Sequence, residues 1–407
     1  MTDTKPDSWI AFRSRDFSCY FVSRFFSSLA AMMIDVGVGW FVYDLTNDVL
    51  ALGLAGLFSF MPNLIFLLAV GHVADRYDRR RVMIACYAII TLASAALVAS
   101  ALVQGTGVAI IYALIFTFGT ARAFAGPASQ ALLPAIVPRE IFPNALTWNS
   151  SSWQFASITG PALGGLAYWG GGAAGVFVTT TIFYAASLLL LVPIKPRPVD
   201  APRDAVTWET LTAGWRYIWH KRAILGSISV DLFAVLLGGA TALLPVYAKD
   251  IFQTDPLGLG ILRAMPAVGA FACTLVIART GLGGRTGLKM FWCVAIFGLC
   301  MVGFGLSTNI YIAGAFLILS GVVDMVSVII RQSLVQLETP DHMRGRVSAV
   351  NSIFIGASNE LGAFESGAMA RLIGPVAAVV SGGFASVAVA GIWAIRFPEL
   401  RKRDRLV

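Results

Sequence analysis

Eight ionisable side chains lie within stretches of sequence that are otherwise apolar: Arg24, Asp35, Arg122, Asp231, Arg263, Asp324, Glu360 and Glu365. A charge in such a setting is costly to hold away from water and marks a path for protons, ions or substrate by default. The chemistry open to the carboxylates is reversible proton loading. That requires desolvation to raise the affinity for the proton and a nearby cation to reset the group. Asp35, in the middle of "AAMMIDVGVGW", is the best placed of the acids. The plainer alternative is that Asp35 lies near the outer water and is merely solvated. Glu360 and Glu365 are reserves: they are five residues apart, which suits no single helical face, and Glu365 is placed towards the outer surface.

The elements that must position these charges follow from composition. The 407 residues are 57% hydrophobic and 13% charged, with a mean hydropathy of +0.77. Soluble domains carry about 25% charged residues. A bilayer core requires roughly 20 apolar residues per helix. Twelve runs meet that need, near 17–43, 50–72, 82–103, 108–133, 143–169, 173–193, 223–247, 257–278, 288–307, 310–331, 346–370 and 374–396. The Gly-rich "YWGGGAAGV" obscures where the fifth span stops and the sixth starts. The expected fold class is therefore an all-α integral membrane protein with twelve transmembrane helices.

Orientation follows from the basic residues, because Lys and Arg bias sets topology. Of the 30, 25 fall on the face holding both termini, and only Lys249 and Arg371 fall on the other. Both termini are expected to be cytoplasmic, and the net charge of +8 reads as topology with some affinity for anionic lipid, not as nucleic-acid binding. The first seventeen residues are polar and the apolar run after them is too long for a signal-peptide core, so no cleavable signal is expected. Cys19, Cys86, Cys273, Cys293 and Cys300 lie in apolar segments, and His72, His220 and His342 are scattered over loops. Neither set has metal-ligand or disulfide spacing.

The chain repeats at half its length. A shift of 202 residues pairs Gln130 with Gln332, Pro138 with Pro340, Asn149 with Asn351, Gly160 with Gly362 and Gly165 with Gly367; a shift of 204 pairs Tyr43 with Tyr247, Gly56 with Gly260 and Pro62 with Pro266. The resulting organisation is an N-terminal six-helix half (1–193), a cytoplasmic linker (194–222), a C-terminal six-helix half (223–396) and a cytoplasmic tail (397–407). The linker is Pro-rich at first. Trp208, Leu211, Trp215, Ile218 and Trp219 then recur at helical spacing, which predicts an amphipathic helix on the inner membrane surface. Parallel six-helix halves of this kind place a substrate site between them near the midplane. The 202 shift also sets Asp324 at the position equivalent to Arg122, a pair able to face one another across a central cavity. Arg24 and Asp231 each lie about two turns inside the start of their spans and are candidates to bridge the halves. Structural ion pairs with no transport role account for both observations equally well.

"GHVADRYDRRRV" resembles the motif between the second and third helices of the major facilitator superfamily. Gly71, Asp75, Arg76, Arg79 and Arg80 match it, and Asp78 stands where the motif has a second glycine. "GPALGG" (Gly160, Pro161, Gly164, Gly165) is similar to the signature of superfamily antiporters, and "RAFAG" with Arg122 at its head to an element of the fourth helix. "TPDHMRGRVSAVNS" and "RAFAGPASQALLPAIVP" resemble the enterobactin exporter-like bacterial branch. The resemblance covers nearly the whole chain. It implies that Asp75, with nearby arginines and the positive end of the eleventh helix, forms a cytoplasmic gate. A solvated turn whose arginines only fix topology is the alternative. Antiporters of this superfamily often set an acid in the first helix near the arginine of the fourth, which pairs Asp35 with Arg122 as proton-coupling residues.

The remaining candidates are less specific. Ala156, Gly160 and Gly164 form a small-residue ridge for close helix packing, and Pro161 is placed to kink its helix. Trp40, Asn149, Trp153 and Gln154 are candidates to line a substrate cavity, with Trp148 and Ser150 to Ser152 nearby; such residues more often satisfy helix contacts. Asp78 either adds a salt bridge or loosens its turn. The expected function is proton-driven export of a small amphipathic or aromatic compound, siderophore- or drug-like, by rocking of two halves, in a bacterial inner membrane and as a monomer. No cofactor is expected, the proton gradient being the energy source. An importer or uniporter is the rival of the same class, because alternating access is reversible. A membrane enzyme finds no Walker motif, metal cluster or nucleophile constellation to support it, and a transport-inactive sensor no appended domain.

Overall fold

A computed structural model describes residues 8–103, 105–197 and 208–404. After a short 3-10 turn at Ile10–Arg13, the helices are α1 (Arg15–Thr46), α2 (Val49–Ile65), α3 (Leu67–Arg76), α4 (Arg79–Leu102), α5 (Val108–Ile136), α6 (Phe142–Leu191), α7 (Trp208–His220), α8 (Arg222–Gly238), α9 (Leu244–Val246), α10 (Pro256–Thr280), α11 (Thr286–Leu306), α12 (Ile310–Glu338), α13 (Asp341–Ile373), α14 (Pro375–Arg396) and α15 (Pro398–Arg401). Nine described segments are long and apolar enough to cross a membrane. The 50-residue α6 counts twice, because Gly172 adopts φ 61°, a left-handed conformation open to glycine, and breaks it inside the Gly-rich stretch. The consecutive helices α2 and α3, with α13, complete the twelve spans. Helix α13 is a more polar span, carrying Asn351, Asn359, Glu360 and Glu365 among its apolar residues.

Several spans are broken for identifiable reasons. The second is interrupted at Phe66, one turn after Pro62, whose missing N–H and ring weaken the preceding turn. The seventh stops at Gly238 and continues through a 3-10 turn, α9 and a π turn at Tyr247–Ile251. Backbone groups freed inside a membrane need partners. Here Ser366 Oγ donates to Gly239 O at 2.8 Å and Ser386 Oγ to Ala234 O at 2.8 Å. By contrast α6 stays helical through Pro161, without the kink expected there.

Two compact units emerge from the packing: Met1–Gly37 with Met61–Ala205, and Val38–Phe60 with Val206–Val407. Residues 38–60 thus pack with the C-terminal half. In the first unit the ridge of α6 meets α1: a Cβ added at Gly164 would lie 2.8 Å from Met33 Cα, and one at Gly160 2.5 Å from Met32 Cβ. Reciprocal hydrogen bonds close the same bundle, Ser23 Oγ to Ser187 O at 2.8 Å and Ser187 Oγ to Ser23 O at 2.9 Å. Small residues allow close approach, and hydroxyls then join the backbones. In the second unit Val230, Phe291, Ile330 and Leu334 form part of a buried core where α8, α11 and α12 meet. An added Cβ at Gly53 of α2 would lie 3.1 Å from Phe364 Cα of α13. The linker helix α7 is observed, with Ile218 buried and Trp215 stacked on Phe354 at 5.3 Å. The linker at 198–207 and the side chains of Trp208 and Leu211 lie outside the described residues.

Candidate functional site

Within the first unit, α1 carries Asp35 and α5 carries Arg122. The Gly160 and Gly164 ridge presses α6 against α1 just before Asp35, so close packing sets the height of the acid. Arg122 Nη1 lies 3.9 Å from Asp35 Oδ1, and their side chains are 39% and 40% exposed. This separation is an ion pair longer than a hydrogen bond. Of the two features named for a coupling acid, desolvation and a nearby cation, the pair supplies the cation; the 40% exposure matches the plainer alternative of a solvated Asp35.

Arg24 and Asp231, the candidates to bridge the halves, each have a partner within their own unit. Arg24 Nη1 donates to Tyr87 Oη at 3.4 Å, and Tyr87 Oη donates to Ser27 Oγ at 3.0 Å. The Tyr87 ring meets Tyr184, which in turn packs edge-on against Phe118 of α5. Asp231 instead forms an ion pair with Arg331 of α12, the two side chains 10% and 4% exposed. Arg331 is the last residue of the span expected at 310–331. The helix α12 runs on to Glu338, and the apolar Leu334 and Val335, both buried, continue its core face beyond the arginine. Those two residues are the overlooked signal. Asp324 lies two turns before Arg331 on the same helix and is partly buried.

Arg263 and Glu360 reach towards glycines of the first two helices. An added Cβ at Gly39 would lie 3.4 Å from Arg263 Nη1, and one at Gly56 would lie 3.2 Å from Glu360 Oε2. Beyond these, the end of α1 remote from the N-terminus is clasped inside the second unit. Tyr43 Oη donates to the Asp250 carboxylate. Lys249 Nζ lies 2.7 Å from Asp44 Oδ1, and Arg371 Nη1 lies 3.3 Å from Asp48 Oδ2. Lys249 and Arg371 are the two basic residues that the charge count isolates on the sparse face. Their scarcity was the available signal for the clasp, and the three acids and Tyr43 were missed.

The described residues include part of the Asp75 motif. Gly71 is buried in α3, Arg76 is exposed at its end, and Arg79 opens α4, but the Asp75 side chain lies outside the described residues. Arg80 donates through Nε to Leu191 O at 3.1 Å and through Nη2 to Val192 O, so it caps the end of α6. A cation at that terminus also meets the negative end of the helix dipole. Asp78 caps α4: its carboxylate accepts from the backbone N–H of Arg80 at 2.9 Å and of Arg81 at 3.3 Å. A glycine there has no side chain to do this.

Among the substrate-cavity candidates, Trp40 is 8% exposed and Trp153 46% exposed, with Asn149 and Gln154 partly buried on α6. Pro161 and Gly165 are buried. Trp148 is committed elsewhere: it donates Nε1–H to Ser8 O at 2.9 Å and stacks among Trp9, Phe12 and Phe21. No group of three or more His, Cys, Asp or Glu able to hold a metal ion occurs among the described residues.

Known proteins match the chain over nearly its whole length. The family described as transmembrane secretion effector matches residues 6–406. The enterobactin exporter EntS of Salmonella typhi is 26% identical over 393 residues, which cover 95% of this chain and 93% of the relative. That of Escherichia coli O157:H7 is 25% identical over 389 residues, covering 95% and 92%. A POT family transporter in complex with 5-aminolevulinic acid superposes with a TM-score of 0.75 at 10% identity, covering 95% of this chain and 97% of its own. A bacterial homologue of the iron transporter ferroportin in the inward-facing state gives 0.71 at 16% identity, covering 96% and 99%. At these identities the structural likeness establishes the fold.

Proposed function

The chain belongs to the transmembrane secretion effector family of the major facilitator superfamily, multi-pass membrane transporters of small molecules and not enzymes, and from that premise we propose that it is a proton-coupled exporter. The observation that carries the coupling is the half-exposed Asp35–Arg122 pair, 3.9 Å apart in mid-span. Protonation of Asp35 releases Arg122 from its counter-ion; deprotonation restores the pair and lowers the cost of the arginine. The exporting direction and a siderophore- or drug-like cargo rest on the similarity to enterobactin exporters. The Lys249–Asp44 and Arg371–Asp48 pairs are partly exposed and open at little cost, which suits a transporter that changes conformation. The proposed setting is a bacterial inner membrane with both termini cytoplasmic, the monomer working without a cofactor.

The test is transport in proteoliposomes under an imposed pH gradient, across a panel of siderophores, antibiotics and metabolites. Wild-type protein is expected to move at least one amphipathic compound against its gradient, with counterflow of protons. Asp35→Asn is expected to retain exchange of substrate and lose the response to the pH gradient. Proton-driven flux that survives in Asp35→Asn would show that the coupling group lies elsewhere. Uptake in the direction opposite to efflux under the physiological gradient would instead indicate an importer.

A further inference from the structure

A cavity of about 570 Å³ opens within the second unit where the α7–α8 junction, the end of α12 and α15 converge. Its ionisable lining is His220, Lys221, Arg222, Arg403, Glu338 and Glu399. Arg403 is paired with Glu338, whereas Lys221 and Arg222 are exposed and have no ion-pair partner among the described residues. With Glu399 counted against Lys221 and Arg222, the balance left over is one positive charge, which favours an anion. The walls are well anchored: Tyr217 Oη donates to Glu338 O at 2.6 Å, and Asp404 accepts from the Arg285 N–H at 2.9 Å, which ties the segment after α15 to the start of α11.

Depth narrows the class of ligand. Arg222 is the first residue of the membrane-crossing segment Arg222–Ile251, and Glu338 is the last of Ile310–Glu338. The cavity therefore lies where two spans leave the hydrocarbon, at the level of lipid headgroups. Beside it, α7 exposes Trp215 (44%) and Trp219 (59%), with ring centroids 5.8 Å apart, while Ile218 is buried beneath. Tryptophan settles at this boundary because its ring is apolar and its N–H polar. We propose that the cavity is a headgroup site for an anionic phospholipid. Lys221 and Arg222 hold the phosphate, and the Trp215–Trp219 face lies along the departing acyl chains. A bound lipid then joins the linker helix to the end of α12 and stiffens the connection on which the C-terminal half begins.

Native mass spectrometry of the full chain in detergent, titrated separately with phosphatidylglycerol, phosphatidylcholine and inorganic phosphate, tests the assignment. Phosphatidylglycerol is expected to remain bound, phosphatidylcholine to be lost, and phosphate not to compete. Lys221→Ala combined with Arg222→Ala is expected to weaken phosphatidylglycerol binding roughly thirtyfold, about fivefold for each lost cation. Trp219→Ser, which leaves both cations, is expected to weaken it less, and Arg139→Ala in the first unit not at all. The double variant alters exposed residues, and its melting temperature checks the fold; Lys221→Gln with Arg222→Gln repeats the measurement with less change in volume. Equal retention of phosphatidylglycerol by wild type and both double variants overturns the proposal. Displacement by inorganic phosphate at comparable concentration also overturns it, and makes the cavity a small-anion site.

Discussion

Two aspartate–arginine pairs sit inside the spans of this transporter, and they are built in opposite ways. Asp231 and Arg331 are in contact and nearly sealed, at 10% and 4% exposure; Asp35 and Arg122 are 3.9 Å apart and about 40% exposed. In the sealed pair each charge depends on the other, because neither has water to turn to. A single loss leaves the survivor buried and uncompensated. In the open pair solvent supports either partner alone, so removing one leaves no sealed charge behind. The same two residue types thus serve as a fastening in one unit and as an adjustable pair in the other.

The largest stability effect is expected at the sealed pair. Arg331→Ala or Asp231→Ala should cost on the order of 3–5 kcal/mol, seen as a large fall in melting temperature in detergent. Asp231→Leu with Arg331→Met should recover most of that loss. Near-neutral single variants would erase the distinction between the pairs. Next in size is Gly164→Val, where the Met33 backbone leaves no room; overpacking is expected to cost about 1–3 kcal/mol and, by displacing α1, to lower transport as well. Gly126→Ala, with open space around it, is the control. Asp78→Ala should cost ~1 kcal/mol through the lost cap, and Asp78→Gly only a few tenths, read from urea or thermal unfolding. That acid is about as exposed as Asp35, yet its work is hydrogen bonding to backbone. The smallest stability change, within about 1 kcal/mol, is expected for Asp35→Asn, the variant expected to have the greatest effect on coupling.

Much of the fold was legible before any coordinates. Apolar runs of membrane-spanning length announce themselves regardless of neighbours, but "YWGGGAAGV" hid the boundary that Gly172 makes. The Gly160 and Gly164 ridge also declared itself, because closeness of backbones demands small residues wherever the partner helix lies. The loop motif was legible as a pattern, but the work of its members was not. Asp78 is an N-cap and Arg80 a C-cap only because the end of α6 comes within reach. The end of α12 was cut short for a related reason: a lone arginine at the end of an apolar run looks like a boundary until a buried aspartate is found beside it.

Hydropathy and charge asymmetry along the chain determined that this is a multi-span membrane protein, and where its spans fall, since transfer from water to lipid depends on composition over about 20 residues. The partner of each intramembrane charge was a different kind of question. Arg24 found Tyr87, Asp231 found Arg331, and Lys249 and Arg371 found Asp44 and Asp48, across separations of 63 to 323 residues. Such pairs are chosen by which helices pack together and at what height, quantities that no local run of residues encodes. Tertiary structure alone decided which aspartate is sealed and which is open to water.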